Sequence, residues 1–407
     1  MRFKTETAID IGTNSVKIIV CRRNAGGVEV DLIAKEEEPH FIGVRKGEVY
    51  DPKKASEALL KAKERIEKRE KIKLKKAVLS AGGFHLFPLK SQGLISVSRA
   101  DGRISPEDVE RVLQAAKAVS LPPNKEVLEV IPQEFIIDGE EGIKKAVGLK
   151  GVRLEAKVLL VCIFSPALEN LESAAWNAGI EPEEIIPSVS AFSEGVLNSE
   201  QKEIGAAVLN IGAGTTSLAV FSEGCLKDFK VFPVGSANIT NDIALGLRID
   251  IKTAEFIKKE FASLKTFCRR GSSSRKGKKE KIELAEQGVS FSRSFLEEIL
   301  EFRISEIFRE INKDLKRISK EVSLPAGVIF TGGGSLLPGL TDFAKQKLQL
   351  PCFLPEKEST EEENDNRLFS TCEGIIALRA EEENEIATEG RKRWKNIFKK
   401  AFKVFLP

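Results

Sequence analysis

The stretch Leu209–Phe221, LNIGAGTTSLAVF, sets two apolar runs around a short turn of glycines and hydroxyl residues. Such a turn is either a plain hairpin or an anion cradle, in which backbone N–H groups point inward and no Cβ blocks the approach. Comparison with the rest of the chain separates these readings. Ala8–Val20, AIDIGTNSVKIIV, aligns on Val208–Val220, VLNIGAGTTSLAV, without a gap at an offset of 200 residues. Asp10 falls on Asn210, Gly12 on Gly212 and Ser15 on Thr215. The same hairpin at the start of each half predicts two related α/β lobes that face each other.

Each hairpin is followed by amphipathic helical text, DPKKASEALLKAKERIEKREK in the first half and GSANITNDIALGLRIDIKTAEFIKKEFASL in the second. Between them, residues 79–161 change character. ISPEDVERVLQAAKAV has Ser105 placed to cap a helix and Pro106 at its first position, and strand-like text follows around EVLEVIPQEFIID and GVRLEAKVLLVCIF. This segment reads as a small α+β domain inserted in the first lobe. A third glycine element, Ala326–Leu348, AGVIFTGGGSLLPGLTDFAKQKL, reads as a buried strand, a triple glycine and then a helix. That combination suits a nucleotide held against the backbone.

Composition sets outer bounds. At 407 residues the chain exceeds a single core, and 64 basic against 61 acidic residues give a net charge of +3, too small to define a partner. Cys21, Cys162, Cys225, Cys268, Cys352 and Cys372 are scattered without metal-ligand spacing and read as reduced packing thiols. MRFKTETAID runs straight into a strand with no apolar leader, and no run of about 18 apolar residues is present, so a cytosolic start and no membrane span are expected. The basic TFCRRGSSSRKGKKEK lacks interleaved aromatics and reads as a solvated loop, so no nucleic-acid partner is expected. The acidic text at 356–367 and 381–389 reads as exposed loop and linker.

The three glycine stretches, in this order, resemble the two phosphate motifs and the adenosine motif of the actin, Hsp70 and sugar-kinase ATPase fold. The resemblance implies ATP in the cleft between the lobes, with Mg2+ held mostly through water rather than by direct ligands. It assigns Asp10, Gly12, Thr13, Asn14, Ser15 and Lys17 to the first loop, with Asp10 a candidate for positioning magnesium or water. Asn210, Gly212, Ala213, Gly214, Thr215 and Thr216 fall to the second loop, and Gly332, Gly333, Gly334 and Ser335 to the adenosine side. TAEFIK resembles the helix whose acid meets the ribose, which implicates Glu255, with Lys258 one turn on.

Val127–Val161, VLEVIPQEFIIDGEEGIKKAVGLKGVRLEAKVLLV, closely resembles the corresponding stretch of the FtsA family of bacterial cell-division proteins. That family carries an inserted subdomain, 1C, in this place. The resemblance implies a first-lobe core at 1–78 and 162–204, the 1C insertion at 79–161 and a second-lobe core at 205–248 and 323–380. It makes 249–322 an outer subdomain, with a loop at 266–281, that docks the C-terminal tail of FtsZ. Self-association into actin-like filaments and recruitment of later division proteins are implied as well.

The chain closes on RKRWKNIFKKAFKVFLP, 391–407, after an acidic linker at 381–390. Trp394, Ile397, Phe398, Ala401, Phe402 and Phe405 form one apolar face at helical spacing, beside Lys395, Lys399, Lys403 and other bases. Such a helix suits anionic membrane lipids and predicts peripheral attachment to a membrane, which the family resemblance implies is the cytoplasmic face of the cell membrane at the division site. The family has this tail and its pilus-assembly relative PilM does not. A PilM-like scaffold is the alternative, and a sugar-kinase-type enzyme a more distant one.

No catalytic acid stands out beyond Asp10. Asn210 occupies the place of the second loop's usual Asp, Ser217 that of the acid that often ends the motif, and Ile186 precedes Pro187 where chaperone relatives have Glu. An amide hydrogen-bonds a magnesium-bound water but adds no charge, so ATP binding with weak or no ATPase activity is expected.

Overall fold

The computed structural model describes residues 4–23, 30–39, 42–265, 280–284, 288–320, 322–355 and 363–389. The basic stretch at 266–279 and the terminal helix expected at 391–407 lie outside them.

In the first lobe, β1 (Lys4–Ile11) and β2 (Ser15–Arg23) form the first hairpin and β3 (Val30–Pro39) continues it antiparallel. A two-residue-stranded hairpin, β4 (Val44–Arg45) and β5 (Glu48–Val49), leads to α1 (Pro52–Glu70). The Asp51 side chain accepts from the Lys54 N–H and Pro52 starts α1, while Ala55, Leu59, Ala62 and Ile66 form its buried stripe. The crossover delivers β6 (Lys76–Ala81) parallel to β1.

The chain then leaves this lobe. The inserted domain comprises β7 (Phe87–Ser96), α2 (Pro106–Lys117), β8 (Lys125–Ile137), β9 (Glu140–Ile143) and β10 (Arg153–Phe164), with an antiparallel sheet ordered β7-β10-β8-β9. Ser105 caps α2 as expected, in a reciprocal box with Asp108. Burial raises the Asp108 carboxyl, but hydrogen bonds from Ser105 and Ser98 outweigh it and bring the pKa down to about 2. The first lobe resumes with α3 (Ser165–Asn177), β11 (Glu181–Pro187), α4 (Ser188–Val196) and α5 (Ser199–Ile204).

The second lobe repeats the first. β12 (Ala206–Ile211), β13 (Thr216–Ser222) and β14 (Cys225–Phe232) form an antiparallel meander. Then come α6 (Ser236–Leu247), α7 (Ile251–Phe261), β15 (Lys281–Leu284), β16 (Val289–Ser292) and α8 (Arg293–Ile318). β17 (Val328–Thr331) returns parallel to β12, and α9 (Leu340–Leu348) leads to β18 (Cys352–Phe353). The two sheets, β11-β6-β1-β2-β3 and β18-β17-β12-β13-β14, thus have the same order and the same strand directions.

The last helix, α10 (Glu363–Glu389), departs from expectation twice. Residues up to 380 were assigned to the second lobe, yet Phe369, Cys372, Ile375 and Ile376 pack with Ala8, Ile19, Val78 and Ala191 of the first. Arg23 of β2 also donates to the carbonyls of Ile376 and Arg379 and pairs with Glu6, and Arg379 pairs with Glu184. The acidic run 381–389, expected as linker, is the continuation of this helix, because no glycine or proline interrupts it before Gly390. Two boundaries also move: the first-lobe sheet keeps β6 to Ala81, beyond 79, and the inserted sheet keeps β10 to Phe164, beyond 162. Apolar periodicity cannot mark these edges, because each strand is buried on both sides of the boundary.

α10 crosses α4 at two glycines. A Cβ on Gly374 would lie 1.7 Å from the Ala191 carbonyl oxygen, and one on Gly195 would lie 2.2 Å from that of Ser370. Gly374→Ala should therefore lower stability by about 1–3 kcal/mol through overpacking, read as a lower urea midpoint; an unchanged midpoint would show that the helices are not packed this closely.

Candidate functional site

The two hairpin turns are duplicates in geometry as well as sequence. Ile11 pairs with Val16 and Ile211 with Thr216, leaving four residues in each turn. The Gly12 N–H donates to the Ser15 carbonyl at 3.0 Å, and the Gly212 N–H to that of Thr215 at 2.9 Å. Both turns open on one cleft of about 570 Å³, lined on one side by Asp10, Gly12, Thr13, Asn14, Ser15 and Lys17 and on the other by Asn210, Gly212, Ala213, Gly214 and Thr215. The turns touch: a Cβ on Gly214 would stand 2.5 Å from the Thr13 Oγ1 of the opposite lobe, so this position requires glycine. The second turn is held from behind by α6, whose first residues Ser236 and Ala237 donate to the Gly212 and Ala213 carbonyls.

Gly332, Gly333 and Gly334 form the third wall. Gly332 has φ of 80° and its Cβ would fall 2.2 Å from Asn210 Oδ1, so the turn lies directly against the second hairpin. The expected sequence of glycine turn and helix is interrupted, however, by a 3-10 turn at Gly333–Leu336, and α9 begins only at Leu340. The α9 N-terminus is therefore displaced from the glycines by the 3-10 turn and the Leu337–Pro338–Gly339 link. Leu336, Leu337 and Pro338 instead make this end of the cleft apolar, together with Ile239 and Leu368.

Two residues assigned to the site do not line it. Thr216 is fully buried and donates to the Val234 carbonyl, and Ser335 is buried and donates to the Gly332 carbonyl; each shapes a turn from inside. Glu255 and Lys258 do line the cleft, joined at 2.6 Å and both hydrogen-bonded to the Thr240 hydroxyl. Burial lowers the Lys258 pKa, and Glu255 opposes that shift.

Asp10 accepts from the Ser80 hydroxyl at 2.9 Å. Glu37 of β3, which sequence reasoning missed, also lines the cleft and accepts from Ser15 Oγ at 2.6 Å. Its signal was cross-strand register, since Asp10, Lys17 and Glu37 form one row across three strands. Gly82 and Gly83 were missed too; they follow β6 as Gly332 and Gly333 follow β17, and they line the first-lobe side. Ile186 is buried and adds no acid, and among the described residues no group of three or more His, Cys, Asp or Glu could hold a metal. Nor is any described helix long and apolar enough to cross a membrane.

Duplicated lobes with a glycine-lined cleft between them define a two-lobed protein of the actin-like ATPase fold. Solved structures of that fold align along nearly the whole chain: the PilM–PilN type IV pilus biogenesis complex (TM-score 0.65, 18% identity, 92% of this chain and 98% of that one) and MreB5 of Spiroplasma citri bound to ADP (TM-score 0.54, 15% identity, 94% and 98%). In sequence, residues 83–162 match the SHS2 domain inserted in FtsA, and residues 207–374 match the family described as cell division protein FtsA. Cell division protein FtsA of Pseudomonas aeruginosa is 31% identical over 380 residues, covering 92% of this chain and 88% of that protein. The chain belongs to the FtsA family of cell division proteins.

Proposed function

We propose that the cleft binds ATP with magnesium and holds it more than it turns it over, in a scaffold that ties FtsZ filaments to the cytoplasmic face of the membrane at the division site. The observation that carries the nucleotide reading is the convergence of two hairpins of identical register and a third glycine turn on one cavity. Backbone N–H groups of the turns suit the phosphates, and the Glu255–Lys258 pair the ribose side. Ile239, Leu336, Leu337 and Pro338 exclude water around a base. Magnesium supplies phosphate charge neutralisation when bound; Asp10 and Asn210 are the residues that would hold it, through its water shell.

Weak turnover follows from chemistry at three positions. Asn210 and Ser217 carry no charge, and Ile186 offers no carboxylate to orient a water. The partner assignments rest on family membership. The outer subdomain, 249–322, supports a docking role for the FtsZ tail through exposed Phe256, Phe295 and Phe302. Filament formation and recruitment of later division proteins are proposed on the same ground. Membrane attachment rests on the amphipathic pattern of 391–407, with Trp394, Ile397, Phe398, Phe402 and Phe405 in the interface and Lys395, Lys399 and Lys403 on anionic headgroups.

Two outcomes check this reading. With anionic liposomes, the full chain should float and a version ending at Gly390 should remain at the bottom of the gradient; equal flotation would remove the anchor from the tail. In steady-state assays Asn210→Asp should raise ATP turnover above a slow or undetectable basal rate. A fast basal rate that Asn210→Asp leaves unchanged would refute the holding role.

A further inference from the structure

The β4–β5 hairpin belongs to neither phosphate loop, yet its tip reaches both. Val44 pairs with Val49 and Arg45 with Glu48, and the two tip residues, Lys46 and Gly47, have φ of 51° and 75°. This tight turn spends a left-handed conformation on a lysine, which disfavours it. The Gly47 N–H donates to Thr13 Oγ1 at 2.8 Å. A Cβ on Gly214 would stand 3.0 Å from the Lys46 Cα, and one on Gly47 would stand 3.5 Å from Thr215 Oγ1. The tip is thus wedged where the two phosphate loops meet.

The other side of the hairpin touches the entry to the inserted domain and, through His85, its exit. Lys46 Nζ lies over the Phe84 ring, 5.3 Å from its centroid. Glu48 Oε1 accepts the His85 N–H, and Glu48 Oε2 lies 2.9 Å from His85 Nδ1. His85 in turn stacks edge-on to Phe164 at 5.1 Å. Phe84 and His85 enter the inserted domain, and Phe164 is the last residue of β10.

We propose that Lys46 distinguishes a triphosphate from a diphosphate in the cleft, and that its hairpin passes the difference to the inserted domain. The inference rests on the ATP reading above. Gly47 of the tip lines the cleft, whereas Lys46 stands outside the lining residues, so a terminal phosphate entering beside Gly47 would bring negative charge within reach of a lysine that has to turn to meet it. The Lys46 ammonium rests over an aromatic face with the Glu48 carboxylate nearby; a phosphate oxygen offers a charge-assisted hydrogen bond in addition to opposite charge. When Lys46 turns to that phosphate, Phe84 loses its cation while Glu48 keeps His85, so the entry to the inserted domain is loosened at Phe84. The domain that the fold appends to the first lobe thereby responds to the state of the nucleotide.

Calorimetric titration of the purified full chain with MgATP and MgADP tests this, with hydrogen exchange followed in peptides containing Phe84–Phe87. Lys46→Gly removes the ammonium and accommodates the positive φ. It should lower the ATP:ADP affinity ratio by about tenfold or more, and Lys46→Arg should restore it. In the unsubstituted chain ATP should change exchange at Phe84–Phe87 and ADP should not; in Lys46→Gly the two should act alike. An unchanged ratio in Lys46→Gly, or equal exchange with both nucleotides in the unsubstituted chain, overturns the proposal. Failure of the unsubstituted chain to bind either nucleotide overturns the ATP reading itself, so the two failures are distinct.

Discussion

The contact between Gly214 and Thr13 governs the cleft. A side chain at 214 would collide with Thr13 Oγ1 from the opposite lobe, and Thr13 also accepts the Gly47 N–H. One hydroxyl therefore sits where both hairpin turns and the β4–β5 tip meet. Backbone N–H groups cradle an anion only when they converge within hydrogen-bond reach of it. The absence of a Cβ at 214 lets two independently folded hairpins approach that closely.

The helix α10 keeps the lobes in that relation. Covalently it follows the second lobe, and at its start the Arg367 carbonyl accepts the Gly332 N–H while Arg367 Nη1 donates to the Ser335 carbonyl. From there it lies on the first lobe, through the glycine crossing with α4, the Arg23 hydrogen bonds to the Ile376 and Arg379 carbonyls and the Arg379–Glu184 pair. Arg23 is itself held by the buried pair with Glu6, and removing one partner of such a pair typically costs about 3–5 kcal/mol, so the donor that reaches α10 is firmly placed. A helix that shapes the third glycine turn at one end and grips β2 further along links the third wall of the cleft to the first hairpin.

The duplicated architecture was legible because both signals are local. Hairpin turns announce themselves by glycine and hydroxyl residues between β-branched runs, and Ser105 with Pro106 marks a helix start without tertiary information. Glu37 was illegible because its meeting with Ser15 depends on the β2–β3 register, which no short window contains. Thr216 and Ser335 show the converse limit. Motif position placed them in the cleft, but the strand alternation and the 3-10 turn direct their hydroxyls to nearby carbonyls inside the fold. The reach of α10 was missed because acidic text reads as linker until one sees the buried stripe at Phe369, Cys372 and Ile376 that precedes it.

The central claim is that one nucleotide sits between the two hairpins and is held by both. Titration calorimetry of MgATP into the full chain and into Gly214→Val tests it most directly. The account predicts one site per chain, lost or severely weakened in Gly214→Val while the far-ultraviolet circular dichroism remains that of the unsubstituted protein. Equal affinity in the two proteins would contradict it, because a side chain at 214 cannot coexist with the contact that closes the cleft.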